Sequence, residues 1–353
     1  MGISEMFWIG SAIVLLATFA VSATITRNIC NPASRLHVLD HPNERSLHTH
    51  PTPRTGGVAI VTAALSGFVM LILWRGMGDF LPWLILSTII MSVLSYIDDH
   101  RGLSVPVRLL GHWVCAGILV IAGLVLSSFS LPGAAWLWPV WASIVFSLLF
   151  VIWMVNLYNF MDGMDGFAGG MAVIGFATLS LFGILAGNEQ YAVICAITAT
   201  AAAGFLWFNF PPARIFMGDV GSSTLGLLAA ALSLWGARDG IFPFWAAVLV
   251  FSPFIADATV TLLQRLWRGE RIWQAHKKHY YQQLVQAGWG HRRTVLVQYV
   301  IMFSCGATAL WGMLKPEAIQ IVVLVGWLLF YCVFFFLVSQ ITKRHLNDSQ
   351  KTR

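Results

Sequence analysis

The sequence predicts an all-α, polytopic integral membrane protein with about eleven transmembrane helices. Of its 353 residues, 58% are hydrophobic and only 10% are charged, which is far more apolar than a soluble domain. The mean hydropathy is +0.75, and apolar stretches of about 20 residues, long enough to cross a bilayer, recur along the chain. The distribution of Lys and Arg between loops predicts that the N-terminus is outside and the C-terminus is cytoplasmic.

The predicted spans follow one another with mostly short connections. In chain order they lie near residues 7–26, 56–74, 80–97, 107–127, 137–157, 167–186, 191–208, 220–237, 242–264, 294–314 and 318–341. Two longer segments, 27–55 and 265–293, are predicted to be the first and the late cytoplasmic loops. No linker or repeat divides the chain, so residues 1–353 form one predicted membrane domain.

The basic residues fall on alternate loops. With an external N-terminus, all but three of the 21 Lys and Arg residues lie on the inner side, the exceptions being Arg75, Arg238 and Lys315. Cytoplasmic loops retain Lys and Arg, so this asymmetry sets the orientation. It also accounts for the net charge of +6 without a nucleic-acid partner. No basic residue precedes the first span, which favours an uncleaved helix over a secretory signal.

Two adjacent carboxylates, Asp98 and Asp99, stand at the inner end of the third predicted span. A carboxylate held inside the hydrocarbon costs roughly 2.5 to 3.5 kcal/mol, so a compensating partner is expected. The functional interpretation is a divalent cation or a proton-accepting role. The alternative is a helix end that simply meets water.

A second acidic motif follows the fifth span. Its polar residues recur every three positions, and they are Asn156, Asn159, Asp162 and Asp165. This spacing places them along one edge if the helix continues, and the glycines among them permit a turn and close approach of a ligand. A solvated loop with Asp-Gly turns is the alternative.

A third motif enters the eighth span, where Asp219 is followed by Gly221, Ser222 and Ser223. Exposed backbone N–H groups and the helix dipole at such a helix start favour binding of a phosphate. A plain N-cap formed by Asp219 or Ser222 is the alternative.

The late loop carries a basic and aromatic run that includes His276, Lys278 and His279. Such a segment suits an interfacial helix on anionic lipid. Cations facing the acidic loops would instead bind a diphosphate. The two interpretations are compatible.

On the predicted topology, all four motifs emerge at one membrane face. Hard carboxylate oxygens suit Mg²⁺, which binds one or two protein carboxylates together with substrate phosphates. The combination favours phosphoryl transfer, and the absence of a Gly-x-x-x-x-Gly-Lys loop disfavours an ATP-driven pump.

These motifs resemble those of the polyprenyl-phosphate N-acetylhexosamine-1-phosphate transferases, also called glycosyltransferase family 4. The resemblance runs from residue 39 to residue 293 and covers five motifs in the family order. They are Asp40-His41-Pro42-Asn43-Glu44-Arg45 with His48, Pro51, Pro53-Arg54 and Gly56-Gly57, then Asp98-Asp99, Asn156 to Gly166, Asn209 to Ser222, and the late His loop.

The resemblance implies transfer of an N-acetylhexosamine-1-phosphate from a UDP-sugar to undecaprenyl phosphate or a similar lipid, with release of UMP and a requirement for Mg²⁺. The sugar is N-acetylglucosamine or a 6-deoxy relative. The run through Tyr281-Gln282 and Gly288-Trp289 resembles the bacterial branch that initiates O-antigen or similar surface polysaccharides. The implied location is the bacterial inner membrane, with the active site on its cytoplasmic face.

Positions carried over from the family imply specific roles. Asp219 resembles the metal ligand, Asp98 lies near the lipid phosphate, and Asp99 supports both as a third catalytic acid. The implied UDP-sugar contacts are Asn156, Asn159, Asp162, Asp165, Asn209 and Phe216, with Phe216 beside the uracil. Where the family shows His-x-His-His, this chain has His276-Lys277-Lys278-His279, so His276, Lys278 and His279 are the implied diphosphate contacts.

Two other function classes stay open from the sequence. A secondary transporter would use its acidic residues to couple ions, and a non-catalytic membrane partner would do no chemistry. Apolar helix faces fit either lipid or a second copy of the chain, so a homodimer also stays open. The sequence further predicts that Asp257, inside the ninth span, pairs with a basic group such as Arg265 and is structural.

Overall fold

A computed structural model of the protein describes residues 3–42, 47–271 and 276–351, with side chains described from residue 6 to residue 348. The family-like residues Asn43, Glu44 and Arg45 therefore lie outside the described residues. The helices are α1 Ile3–Cys30, α2 Gly57–Arg75, α3 Leu81–Arg101, α4 Val105–Ile121, α5 Val140–Phe160, α6 Phe167–Leu185, α7 Glu189–Asn209, α8 Gly218–Arg238, α9 Phe244–Val250, α10 Ser252–Trp267, α11 Tyr280–Leu284, α12 Gly290–Met313 and α13 Glu317–Lys351.

The helical architecture confirms a polytopic membrane protein. Within the described ranges, nine helices are long and apolar enough to cross a membrane. The fourth predicted span is the shorter helix α4, and the ninth is the pair α9 and α10, which meet at a bend of 78°. All eleven predicted segments are thus helical, while the number that crosses the bilayer stays a prediction.

Two short antiparallel hairpins depart from a purely helical chain. Strands β1 Leu39–Asp40 and β2 Thr52–Pro53 pair within the first predicted loop. Strands β3 Ser128–Leu131 and β4 Ala134–Leu137 pair between α4 and α5. Neither hairpin was predicted from the sequence, because strands of two to four residues have no detectable periodicity.

Helix α8 is the centre of the bundle, and nearly all residues of its apolar stretch are buried. It packs against α5, α3 and α2. The approach to α2 is close enough that a Cβ on Gly57 would lie 2.1 Å from the backbone nitrogen of Gly221. Only glycine fits there, and this contact fixes the start of α8, where Asp219 stands.

The two ends of the bundle differ in their chemistry. At one end, the first loop joins the segment before α8, because Phe216 N–H donates to Pro53 O at 2.6 Å. At the other end, Arg75 pairs with Glu189 at 3.6 Å, and Arg238 donates to the backbone oxygen of Gly123. The acidic motifs therefore share one end of the bundle, while the compartment that each end faces stays a prediction.

Candidate active site

A cavity of about 260 Å³ lies at the acidic end of the bundle. It is walled by the β1–β2 loop, the ends of α3 and α5, the start of α8, and residues beside α11 and α12. Its polar and aromatic lining consists of Asp40, His48, Arg54, Asp99, Asn159, Asp162, Asp165, Asn209, Phe216, Asp219, Ser222, Gln282 and His291. Residues far apart in sequence therefore form one acidic pocket.

Asp99 positions the first turn of α8. Its Oδ1 accepts the N–H of Asp219 at 3.2 Å, and its Oδ2 accepts the N–H of Val220 at 3.2 Å. The side chain of Arg54 donates to its backbone oxygen. Both carboxylate oxygens are therefore engaged and the residue is only 9% exposed, so Asp99 holds the start of α8 in place. The catalytic role implied for it stays a prediction.

Asp98 faces a second, smaller cavity of about 60 Å³ between α3, α4 and α5. Its Oδ1 accepts the N–H of Leu103 at 2.6 Å, and its Oδ2 lies 3.3 Å from Nη1 of Arg108. Asn156 lines the same cavity, and its Nδ2 lies 3.3 Å from Nδ1 of His112. The resemblance implied a place near the lipid phosphate for Asp98 and a UDP-sugar contact for Asn156. The structure instead places both at the smaller cavity, which Asp219 and Asn159 separate from the larger one.

The wall between the two cavities is formed by Asp219 and Asn159, which line both. The side-chain amide of Asn159 donates to Asp219 Oδ1 at 2.8 Å and to Ser222 Oγ at 3.2 Å. Asn159 thereby fixes the Asp219 carboxylate between the two spaces. A group bound in either cavity would meet this carboxylate.

Asp162 is the unsatisfied acid of the larger cavity. Among the described residues, none donates a hydrogen bond to its carboxylate or pairs with it. Burial, and then the negative charges of Asp219 and Asp99, raise the pKa of the Asp162 carboxyl well above its usual range. A cation placed between these carboxylates would relieve both effects.

Asp165 and Asn209 hold the loops that surround the cavity. Asp165 Oδ2 accepts the N–H of Ala213 at 3.0 Å, and its Oδ1 lies 3.0 Å from Nδ1 of His291. Asn209 accepts the N–H of Gly166 at 2.9 Å and donates to Ile215 O at 2.8 Å. Both were assigned to substrate contact, and both line the cavity, yet their polar atoms mainly fasten the loops to each other.

Phe216 provides the aromatic wall. Its ring is partly exposed to the cavity and lies 4.8 Å from the ring of His48. His48 and Arg54 in turn flank Asp40, with side-chain separations of 3.6 and 3.7 Å. The first loop therefore covers the pocket with one acid and two basic groups.

The late loop does not supply the three cavity contacts implied for it. Lys278 Nζ donates to Glu270 Oε1 at 2.6 Å, and His279 Nδ1 lies 3.2 Å from Asp257 Oδ1. Neither they nor His276 line the cavity. Burial, and then the neighbouring His279, lower the pKa of His276 to about 4, so His276 is neutral near pH 7. A neutral ring in this position contributes no charge for binding a diphosphate.

Asp257 contacts a histidine, His279, rather than Arg265, and its structural role stays a prediction. The named candidate, Arg265, instead donates to Glu270 Oε2 at 3.0 Å. The hydrogen bond from Lys278, followed by that from Arg265, lowers the pKa of the Glu270 carboxyl. The basic residues around α10 thus anchor their own loop.

Sequence reasoning missed several residues that line the two cavities. Arg54 and His48 were quoted only as part of the first motif, and His291 only as part of a basic run. Arg108 lies ten residues beyond Asp98 on a different helix, so no local spacing joins them. Gln282 was noted only within the run that resembles the polysaccharide-initiating branch and was given no site role.

Comparison with known proteins gives consistent matches. A family model described as glycosyl transferase family 4 matches residues 81–237. A probable undecaprenyl-phosphate N-acetylglucosaminyl 1-phosphate transferase of Bacillus subtilis is 29% identical, covering 92% of this chain and 88% of the relative. A decaprenyl-phosphate N-acetylglucosaminephosphotransferase of Mycobacterium tuberculosis is 32% identical, covering 82% and 79%. A phospho-N-acetylmuramoyl-pentapeptide-transferase of Chlorobium phaeobacteroides is 30% identical, covering 73% and 79%.

Proposed function

The chain belongs to glycosyl transferase family 4, and we propose that it transfers an N-acetylhexosamine-1-phosphate from a UDP-sugar to undecaprenyl phosphate or a similar polyprenyl phosphate. The observation that carries this proposal is the pair of cavities that meet at Asp219 and Asn159. A reaction between two separately bound phosphates needs such a junction.

The larger cavity is the proposed site of the nucleotide sugar. Phe216 offers a flat face on which a uracil ring can stack, and aromatic stacking of this kind is worth about 0.5–1.5 kcal/mol beyond area burial. His48 and Arg54 line the same space, and the Arg54 guanidinium supplies a cation for the diphosphate. Their place in the first loop also lets them cover the bound donor.

The smaller cavity is the proposed site of the lipid phosphate. Arg108 supplies a cation and His112 a ring nitrogen. Leu109 and Val105, on the same helix, line the cavity and are exposed on the outside of the bundle. A prenyl chain left in the bilayer would contact this apolar surface while its phosphate reaches Asp219.

The proposed reaction exchanges one phosphoanhydride bond for another. An oxygen of the lipid phosphate attacks the phosphorus attached to the sugar, the bond to the UMP oxygen breaks, and UMP leaves with that electron pair. A lipid phosphate is already ionised near neutral pH, so no strong general base is needed. Asp98, paired with Arg108 at 3.3 Å, instead orients the cation that holds the nucleophile.

Mg²⁺ is the proposed cofactor, and the donor set fits it. The carboxylates of Asp162 and Asp219 line the same cavity. No described residue donates to Asp162, whereas Asp219 accepts from Asn159 through Oδ1 and lies beside Asp98. Mg²⁺ commonly binds through one or two carboxylates and keeps waters and substrate phosphates as its other ligands, so no larger acidic cluster is required. When bound, it supplies positive charge against the diphosphate.

The donor sugar is proposed to be N-acetylglucosamine or a 6-deoxy relative. The two relatives named for N-acetylglucosamine are 29% and 32% identical over 92% and 82% of this chain, and the muramoyl-pentapeptide transferases are 26% to 30% identical over 73% to 87% of it. We place the reaction on the cytoplasmic face of a bacterial inner membrane, where it would initiate an O-antigen or a similar surface polysaccharide.

The test uses purified protein in vesicles with undecaprenyl phosphate and a panel of radiolabelled UDP-sugars. We expect label in the lipid phase and release of UMP in equal amounts, both dependent on Mg²⁺. Label that crosses the vesicle wall without entering the lipid would instead indicate a transporter, and no movement of label would indicate a non-catalytic partner.

A second measurement tests the metal assignment. Replacing Asp219 by Asn removes a negative charge while conserving the shape of the side chain, and we expect transfer to fall by about a hundredfold to a thousandfold. Thermal unfolding in detergent should show a folded protein. Undiminished Mg²⁺-dependent turnover would remove Asp219 from the metal site.

A further inference from the structure

A third polar cavity, of about 500 Å³, lies between α10, α11 and the C-terminal part of α13. It shares no lining residue with the acidic cavity. Its lining is strongly basic and includes Arg265, Arg268, Lys277, Lys278, Lys343 and His345. No Asp or Glu lines it anywhere in the ranges that the structure describes.

Three of these cations have no counter-charge among the described residues. Arg265 and Lys278 share Glu270, at 3.0 and 2.6 Å. By contrast, the side chains of Arg268, Lys277 and Lys343 make no hydrogen bond or ion pair with any described residue. Three like charges around one cavity repel each other unless an anion lies between them.

Hydrogen bonds hold the walls of this cavity in place, so it is not a chance gap between flexible side chains. Gln286 Nε2 donates to Lys277 O at 2.9 Å, and Gln283 Nε2 donates to Lys278 O at 2.8 Å. Gln264 Nε2 donates to the hydroxyl of Tyr280 at 2.7 Å. These bonds tie the basic loop to α10 and α11, so the backbone that carries Lys277 is held in place.

The cavity also lies where a lipid headgroup would reach it. Immediately before Arg268, the apolar side chains of Leu266 and Trp267 are 60% and 93% exposed. On the facing wall, Lys343 follows the long apolar stretch of α13. Tryptophan at the end of an apolar helix, next to Lys and Arg, is typical of the boundary between bilayer and water.

We propose that this basic cavity binds the phosphate-bearing headgroup of an anionic membrane lipid. The charges of Arg268, Lys277 and Lys343 would contact the phosphate, while the acyl chains would lie against Leu266 and Trp267 in the bilayer. The bound lipid would hold α13 against the loop that carries His279. This site is separate from the transfer reaction and does not depend on it.

The experiment measures lipid retention by native mass spectrometry. The protein is placed in nanodiscs of equal parts phosphatidylglycerol and phosphatidylcholine. After the protein is released from the nanodisc in the spectrometer, the phosphatidylglycerol molecules that stay bound to it are counted. The test variant combines Arg268→Gln with Lys343→Gln. The matched control combines Arg271→Gln with Arg344→Gln, which removes the same charge from exposed neighbours that do not line the cavity.

We expect the test variant to lose about fivefold in phosphatidylglycerol retention for each charge removed, whereas the control keeps the wild-type value. Equal losses in the two variants would reduce the effect to general surface charge and overturn the proposal. Displacement of the lipid by excess inorganic phosphate, or equal retention of phosphatidylcholine, would overturn the lipid assignment. If the double variant fails to fold, Lys343→Gln against Arg344→Gln makes the same comparison.

Discussion

Two acids of this molecule, the partly exposed Asp162 and the buried Asp257, have opposite surroundings. Asp257 is 3% exposed, and its two oxygens receive the N–H groups of Tyr280 and Tyr281, each at 3.0 Å. Thr261 and His279 add contacts at 3.1 and 3.2 Å. Asp162 receives no such contact from the described residues and lies close to two more carboxylates.

The difference separates a structural acid from a functional one. A buried carboxylate with complete hydrogen bonding stabilises the segment that it joins, and removing it leaves donors unsatisfied. A carboxylate that lacks partners and faces like charges destabilises the empty protein. Such a group is retained only if a ligand or cation meets it, which supports the place of Asp162 in the proposed site.

The largest expected effect comes from Asp162→Asn. The substitution removes a proposed Mg²⁺ ligand, so we expect transfer to fall by at least about a hundredfold. The midpoint of thermal unfolding should stay the same or rise, since repulsion with Asp219 and Asp99 is relieved. Activity and melting are measured on the same detergent preparation. A variant with a lower midpoint of thermal unfolding and unchanged turnover would indicate that Asp162 is structural rather than functional.

Asp257→Asn should have the opposite outcome. The new amide presents N–H groups to donors at Tyr280 and Tyr281 and ends the pairing with His279, at a cost of roughly 3 kcal/mol. The free energy of unfolding should fall, while turnover per folded molecule stays within a few fold. Equal stability of the variant and the wild type would remove the structural role.

The smallest effect is expected from Lys278→Gln. Lys278 is exposed and paired with Glu270 outside the acidic cavity, so its loss should change KM for the UDP-sugar by less than about twofold. Arg54→Gln is the matched comparison. Because Arg54 lines the cavity, we expect this substitution to raise KM for the UDP-sugar by more than Lys278→Gln does. A large rise in KM for Lys278→Gln would restore the diphosphate contact implied by the sequence.

The fold was predictable because the bilayer imposes a simple rule on composition. Spans such as 167–186 and 191–208 coincide with α6 and α7 to within a few residues, since each needs a full length of apolar side chains. The bend between α9 and α10 was not predictable. Pro253 lies in the first turn of α10, where a proline is ordinarily compatible with helix, so periodicity continues across the break.

The sequence was enough to predict several residues of the site, but it did not predict which of the selected residues line the cavity and which lie outside it. Asp162, Phe216 and Asp219 were selected from sequence and line one cavity. The pairing of His279 with Asp257, which removes that histidine from the cavity, depends on how α11 packs against α10. No local pattern reports such a contact, because the partners are 22 residues apart and on separate helices.

The sequence by itself determined that this chain is a membrane protein of many helices and that its acidic motifs are those of a sugar-1-phosphate transferase. Composition is enough for the first, because water and hydrocarbon select side chains by their polarity. Only the tertiary structure decided which acids are satisfied and which are left open. That distinction depends on hydrogen bonds such as those from the backbone of α8 to Asp99, which exist only after the helices have packed.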